Sequence, residues 1–266
     1  MNMKCTLFFI LAMATLLSSR AQDSVPSYHV ADFQVMYDVM RNRPNTSAEM
    51  LFRNGHSAFS LDLDVYHRYS NKQTTVSADL GYTYFFRSKL GGWGLHAGWN
   101  GAYVPTNAMH SDYLLINHYL FGPEYMVFTQ RGNTFNFRWL GGWNYDHSSD
   151  RTFLFSFQFD WDIPNLFGLQ GLSFMGDYEF MFGPEYSFGG YKIIPFASHG
   201  EVTLLYNTTR LSDGKGTNPW QGRKGLGLFV KLLYTDNYPL GWHSGDDYER
   251  NYNGTLTPCL GIRYDF

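Results

Sequence analysis

Along most of the chain apolar and polar residues alternate with a period of two, and the alternation breaks only at short turn-like interruptions. Arg151 to Asp162 shows it most cleanly: Phe153, Phe155, Phe157, Phe159 and Trp161 share one parity, and Ser156, Gln158, Asp160 and Asp162 share the other. A period of two places alternate side chains on opposite faces of a β-strand. The same reading predicts strands around Phe33 to Val39, Ser47 to Arg53, Phe59 to Tyr66, Val76 to Tyr84, Leu95 to Asn100, Phe135 to Asn144, Leu172 to Phe180, Ile194 to Tyr206, Leu226 to Tyr234 and Thr255 to Phe266. Tyr113 to Phe128 adds another, of ambiguous facing and broken by Pro123, which brings the count to twelve.

Five aromatic side chains along one strand face are an aggregation hazard in water and are at home against lipid. Lipid offers no water to a free sheet edge, so such a sheet must close on itself. Twelve is an even number, as bacterial single-chain barrels require. The expected fold is therefore all-β: one transmembrane, up-and-down antiparallel β-barrel over 22–266. A soluble sandwich or a lipocalin-like barrel would have to hold twelve aromatic-rich faces inside, and a small barrel interior is already filled at about eight strands.

Turns are expected at Arg53-Asn54-Gly55, Arg87 to Gly92, Thr129 to Asn133 and Ile163 to Leu169 on the periplasmic side. Outer loops are expected at His67 to Gln73, Val104 to Asp112, Tyr145 to Asp150, Phe182 to Gly190 and Asp236 to Asn253. Thr208 to Lys224 fits this scheme badly, because a long connection falls on the short-turn side.

Both ends of the chain agree with export to a Gram-negative outer membrane. Lys4, the apolar run Leu7 to Leu17 and the site Ser19-Arg20-Ala21 read as a cleavable signal peptide over 1–21. The run is shorter than the roughly 20 residues a spanning helix needs. At the other end Leu256, Leu260, Ile262, Tyr264 and Phe266 share a parity. A last strand closing on Phe266 is the pattern by which barrel-assembly machinery recognises outer-membrane barrels.

Composition separates a barrel from a soluble exported protein. Aromatics make up 19% of residues and charged residues only 16%, against about a quarter in soluble chains. Mean hydropathy is nevertheless −0.31, so the two classes are interleaved, as lipid-facing and lumen-facing positions must be. Loss of Cys5 with the signal leaves Cys259 alone, so no internal disulfide is expected. A net charge of −3 gives no nucleic-acid footprint.

If the apolar parity meets lipid, the other lines the bore. It carries Asp38, Glu49, Asp62, Asp64, Asp79, Asp160, Asp177, Glu179 and Glu201 against Arg53, Arg138, Lys231 and Arg263. His96, Asn100, Asn136, Asn144, Gln158, His199 and Thr203 add hydrogen-bonding groups, and Tyr66, Phe85 and Phe229 add rings. A bore rich in carboxylates disfavours anions and admits neutral or cationic solutes; rings with amides and carboxylates suit a nucleobase and its sugar. Glu49, Asp62, Asp64, Asp79, Asp160 and Asp177 carry that expectation most directly. A plugged barrel, its inward charges paired for stability alone, stays open as the alternative, with outer loops rich in Tyr, Trp and Asp docking a partner.

The closing Leu-Gly-Ile-Arg-Tyr-Asp-Phe, the twelve strands and the chain length resemble the Tsx-like nucleoside-channel barrels. The likeness is nearest to a branch sharing Thr46-Ser47-Ala48-Glu49-Met50-Leu51-Phe52 and the inward Asp62 and Asp64. It implies a narrow, substrate-selective outer-membrane channel for nucleosides. It carries no binding residue over one by one.

Other motifs point to no chemistry. His147-Ser148-Ser149 offers His-x-Ser, as in the twelve-stranded outer-membrane phospholipases, yet the Asn that should follow is missing from Arg151 to Trp161. No enzymatic activity is expected. Phe121 to Tyr125 recurs as Phe182 to Tyr186, but the flanks do not repeat. Asp246-Asp247-Tyr248-Glu249 matches no calcium loop and reads as a solvated acidic loop. His110, His118 and His243 show no zinc spacing. No phosphate-binding Gly loop is present, and no cofactor is expected.

Overall fold

A computed structural model describes residues 28–39, 43–68, 73–87, 91–105, 113–129, 133–146, 151–183, 186–188, 191–193, 196–207, 225–236 and 255–266. The expected signal over 1–21 and the connections 208–224 and 237–253 lie outside them, as do His147 to Ser149, His110, His243 and Ile194.

Twelve strands form one closed antiparallel barrel. In chain order they are β1 (Tyr28–Asp38), β2 (Arg43–Asn54), β3 (Ser57–Arg68), β4 (Gln73–Phe85), β5 (Gly92–Pro105), β6 (Tyr113–Phe128), β7 (Thr134–Asp146), β8 (Arg151–Pro164) and β9 (Leu172–Phe182). A short ribbon, β10 (Tyr186–Phe188) with β11 (Tyr191–Ile193), then stands apart from the barrel sheet. The wall resumes with β12 (Phe196–Asn207), β13 (Gly225–Asp236) and β14 (Thr255–Asp265). β14 pairs with β1 from Asp32↔Asp265 to Asp38↔Cys259, and the Phe266 amide donates to the Ala31 carbonyl at 2.9 Å. No strand of the barrel is left with a free edge.

The lower rim, where β1 begins and β14 ends, carries the tight β2–β3 turn, and β12 ends and β13 begins there too, on either side of the long connection 208–224. Asn54↔Ser57 is the last β2–β3 pair, so only Gly55 and His56 remain to turn the chain. Gly55 has φ 60°, which a residue with a Cβ adopts only under strain. The β8–β9 turn comes later than the sequence suggests. β8 runs on to Pro164, a single 3-10 turn follows at Leu166–Gly168, and β9 starts at Leu172.

The strand left ambiguous by the sequence is continuous, and Pro123 does not break it. Tyr119, Phe121 and Pro123 face out, while Leu120, Glu124 and Met126 face in. The β6–β7 ladder skips Gly122 and Pro123 and resumes in the same register at Glu124↔Arg138. Proline has no N–H to donate, so the interruption falls where it must. The expected outer loop Phe182 to Gly190 also proves to hold strand β10.

Outside, the barrel presents apolar side chains along every strand whose facing is described. Val35, Leu63, Val76, Leu95, Leu204, Leu228, Val230 and Ile262 are all exposed. Aromatic rings crowd β5 to β9. Trp93 meets Tyr125 and Trp139, Phe137 stacks on Phe159 with centroids 4.7 Å apart, and Phe159 stacks on Trp161. A continuous apolar belt of this extent has no place in water, whereas hydrocarbon accepts it without cost. Among the described residues no helix is long and apolar enough to cross a membrane, which says nothing of a β-barrel.

β6 and β7 approach so closely that a Cβ on Gly142 would collide with the Tyr119 carbonyl. Replacing Gly142 with Ala is expected to cost about 1–3 kcal/mol, the usual range for overpacking. Denaturant unfolding of the refolded barrel in detergent checks this. A variant as stable as the parent would show that the wall has slack at that point.

Candidate functional site: an acidic chamber inside the barrel

Register decides which inward side chains meet. Asp265, Asp32, Glu49, Asp62 and Asp79 stand directly opposite one another on β14, β1, β2, β3 and β4. The row continues through Asn100 on β5 to His118 on β6. A second row runs Asn136, Asp160, Asp177 and Glu201 on β7, β8, β9 and β12. Like charges directly opposite on neighbouring strands repel. Cations and neutral donors beside each row offset part of that repulsion.

Ring order places the two acidic rows on facing walls, since five strands lie between β3 and β9 either way round. The bore runs between these two walls. It encloses a chamber of about 360 Å³. Among the described residues ten acidic side chains line that chamber against the basic Arg138, Lys231 and Arg263, an excess of seven.

Three cationic hubs manage part of the excess. Arg138 reaches Asp160 at 3.1 Å and Glu124 at 3.6 Å and donates to the side-chain Oε1 of Gln158 at 3.1 Å. Gln158 and Ser156 in turn donate to Glu179 at 2.7 and 2.8 Å. Glu124 also accepts from Thr83 and lies 3.3 Å from His96. Lys231 on β13 is 2.7 Å from Glu201 and 3.2 Å from Gln34. Arg263 bridges the closing seam, 2.9 Å from Asp32 and 2.7 Å from Asp265. Asn207 reaches Asp265 from β12 at 3.3 Å, across a β13 that carries only Gly227 opposite it.

The lower end of the bore narrows around buried side chains. The Arg53 guanidinium lies 4.0 Å over the Phe85 ring and reaches the Met126 sulfur at 3.6 Å, with Ala58 beside them. A second inward apolar group, Met36, Leu205, Phe229, Leu233 and Cys259, packs across β1, β12, β13 and β14. The polar parity thus carries apolar as well as charged side chains.

Of the candidates named from sequence, Glu49, Asp62, Asp64, Asp79, His96, Asn100, Arg138, Gln158, Asp160, Asp177, Glu179, His199, Glu201 and Lys231 border this one chamber. The Tyr66 side chain lies outside the described residues. Sequence reasoning missed Glu124, because Pro123 obscured the parity of β6. The signal was present: Tyr119, Phe121 and Tyr125 already mark the outward face. It also missed the role of Asp32, and that Arg53, Phe85 and Met126 converge from three strands.

No protein-family model matches the chain, and neither does any curated protein sequence. Among solved structures it is similar to the NanC porin, with 13% identity and a TM-score of 0.50, covering 88% of this chain and 98% of that one. It is also similar to the KdgM porin, solved in complex with disordered oligogalacturonate, with 11% identity, a TM-score of 0.41 and coverage of 89% and 99%. OmpT, an outer membrane protein of Vibrio cholerae, shares 7% identity and a TM-score of 0.42 over 94% of this chain and all of that one. At such identities only the fold is shared.

Arg263 is only 5% exposed, and its removal strands two buried carboxylates. Arg263→Met is expected to lower stability by about 3–5 kcal/mol, the range for breaking a buried pair from one side. Guanidinium unfolding of the folded barrel measures it. Unchanged stability would mean that the seam is held by its backbone bonds alone.

Proposed function

We propose that this chain is an outer-membrane channel through which small polar solutes diffuse passively, with cations and neutral solutes preferred over anions. The observation that carries the reading is the excess of seven acidic over basic side chains around a chamber surrounded by a wall with an apolar outer face. Fixed carboxylates in a narrow bore concentrate mobile cations and exclude anions, while weak successive contacts let a solute leave as readily as it enters. Glu49, Asp62, Asp64, Asp79, Asp160 and Asp177 are the residues proposed to set that preference. The chain would reach the membrane by a cleavable signal over 1–21 and be inserted through recognition of the strand that ends at Phe266.

Nucleosides are the proposed selective cargo. A chamber of about 360 Å³ falls in the range of small-molecule sites, roughly 300–1,000 Å³. Asn100, Asn136 and Gln158 offer amides to base edges, and the carboxylates offer acceptors to ribose hydroxyls. The resemblance to Tsx-like barrels points the same way. A closed barrel that serves as scaffold or docks a partner is the second reading, favoured by one observation: the buried Arg53, Phe85 and Met126 that narrow the lower end.

Planar-bilayer recording of the purified barrel under a KCl gradient separates these readings. A channel is expected to show a reversal potential of the sign for K⁺ over Cl⁻ and a conductance that added nucleosides block. The double substitution Asp62→Asn and Asp64→Asn is expected to move the reversal potential toward zero. Selectivity unchanged by that substitution sinks the role of the pair. Silence from a barrel shown to be folded favours the closed scaffold.

A further inference from the structure

On the β9–β12 side of the chamber, Asp177, His199 and Glu201 bring one donor atom each to within 4.8 Å of one another. Asp177 and Glu201 are a directly opposed pair, and His199 lies two residues before Glu201, so it points to the same face. We propose that these three side chains form a binding site for one divalent transition-metal ion of the zinc type, on the wall of the chamber.

The donor set fits such an ion. One imidazole with two carboxylates is a nitrogen–oxygen set suited to Zn²⁺ and its neighbours; Ca²⁺ and Mg²⁺ prefer oxygen alone. Ligands about 2.0–2.2 Å from one ion lie within roughly 4.4 Å of each other, so small side-chain rotations close the set. Three ligands also leave a position open toward the chamber.

The surroundings favour a cation at this place. Asp160 stands directly opposite Asp177 on the other side, so three carboxylates adjoin on β8, β9 and β12. Thr203, one inward step below Glu201, is 4% exposed and borders the chamber, and its hydroxyl has no hydrogen-bond partner. That oxygen is a ready acceptor for a water on the metal. Lys231 does not block the site. It holds Glu201 through Oε2 at 2.7 Å, which leaves the other carboxylate oxygen, and it keeps Gln34 as a second acceptor. A ligating carboxylate fixed through its second oxygen is the usual outer-shell arrangement around protein-bound metals.

The site does not depend on whether the chamber conducts, so its test is binding rather than current. Titration of the detergent-folded barrel with ZnCl₂, followed by calorimetry in high salt, is expected to saturate at one ion per barrel. Excess CaCl₂ is expected not to compete. Asp177→Asn and His199→Gln, each confirmed as folded, are expected to weaken binding by about tenfold or more. X-ray absorption of the zinc-loaded parent provides a check that needs no variant; one imidazole among oxygen ligands is expected. Absence of saturable binding to the folded parent overturns the proposal. So does an all-oxygen shell, or affinity unchanged in either variant.

Discussion

The pairing of β1 with β14 is the constraint from which the rest of the molecule follows. An open sheet in lipid would expose a column of unpaired N–H and C=O groups, each costly to bury. Seven registered pairs, from Asp32↔Asp265 to Asp38↔Cys259, remove that column. Once they form, every strand has two neighbours, the apolar parity has nowhere to point but outward, and the polar parity is trapped inside. Arg263 sits on this seam with a carboxylate from each strand. The covalent ends of the wall are thus also joined by charge.

Closure has an electrostatic consequence. Carboxylates that would be harmless on a solvated sheet are brought opposite one another on adjacent strands and face a second set across the bore. Arg138, Lys231 and Arg263 lie against the nearest of them, and neutral groups take part as well: Gln158 and Gln34 accept from Arg138 and Lys231, while Gln158, Ser156 and Asn136 donate to carboxylates. What is left over is a standing demand for mobile positive charge. The conduction, cargo preference and metal capture proposed above are three ways of meeting that one demand.

Sequence made the strands legible because a lipid-facing wall requires strict alternation, and the aromatic parity named the outward face even on β8. It also placed the inward carboxylates, since charge on the other parity has only the lumen to occupy. What it could not convey was which of them meet. Asp177 and Glu201 are far apart in the chain and adjacent only because β10 and β11 loop out of the wall, so no metal-like spacing exists to be read. Glu124 was hidden for a different reason: a Gly-Pro step looks like a strand end, and it is the neighbouring β5, paired through His96↔Gly122 and Leu95↔Pro123, that carries the strand through it. The narrowing by Arg53, Phe85 and Met126 depends on where β2, β4 and β6 end relative to one another, which closure sets and local pattern does not.

The interrupted ladder at Gly122 and Pro123 also bears on how the wall behaves as a material. Elsewhere the strands are joined by unbroken rungs, and bending the sheet at one rung means bending it at the next. Between β6 and β7 two rungs are missing, directly beside the Glu124–Arg138 contact. A wall that lacks two rungs at one height bends more readily there than where the rungs are complete. Such a bend would be felt first by the guanidinium that ties Glu124 to Asp160, so the compliance of the wall and the charge pattern of the bore share a hinge.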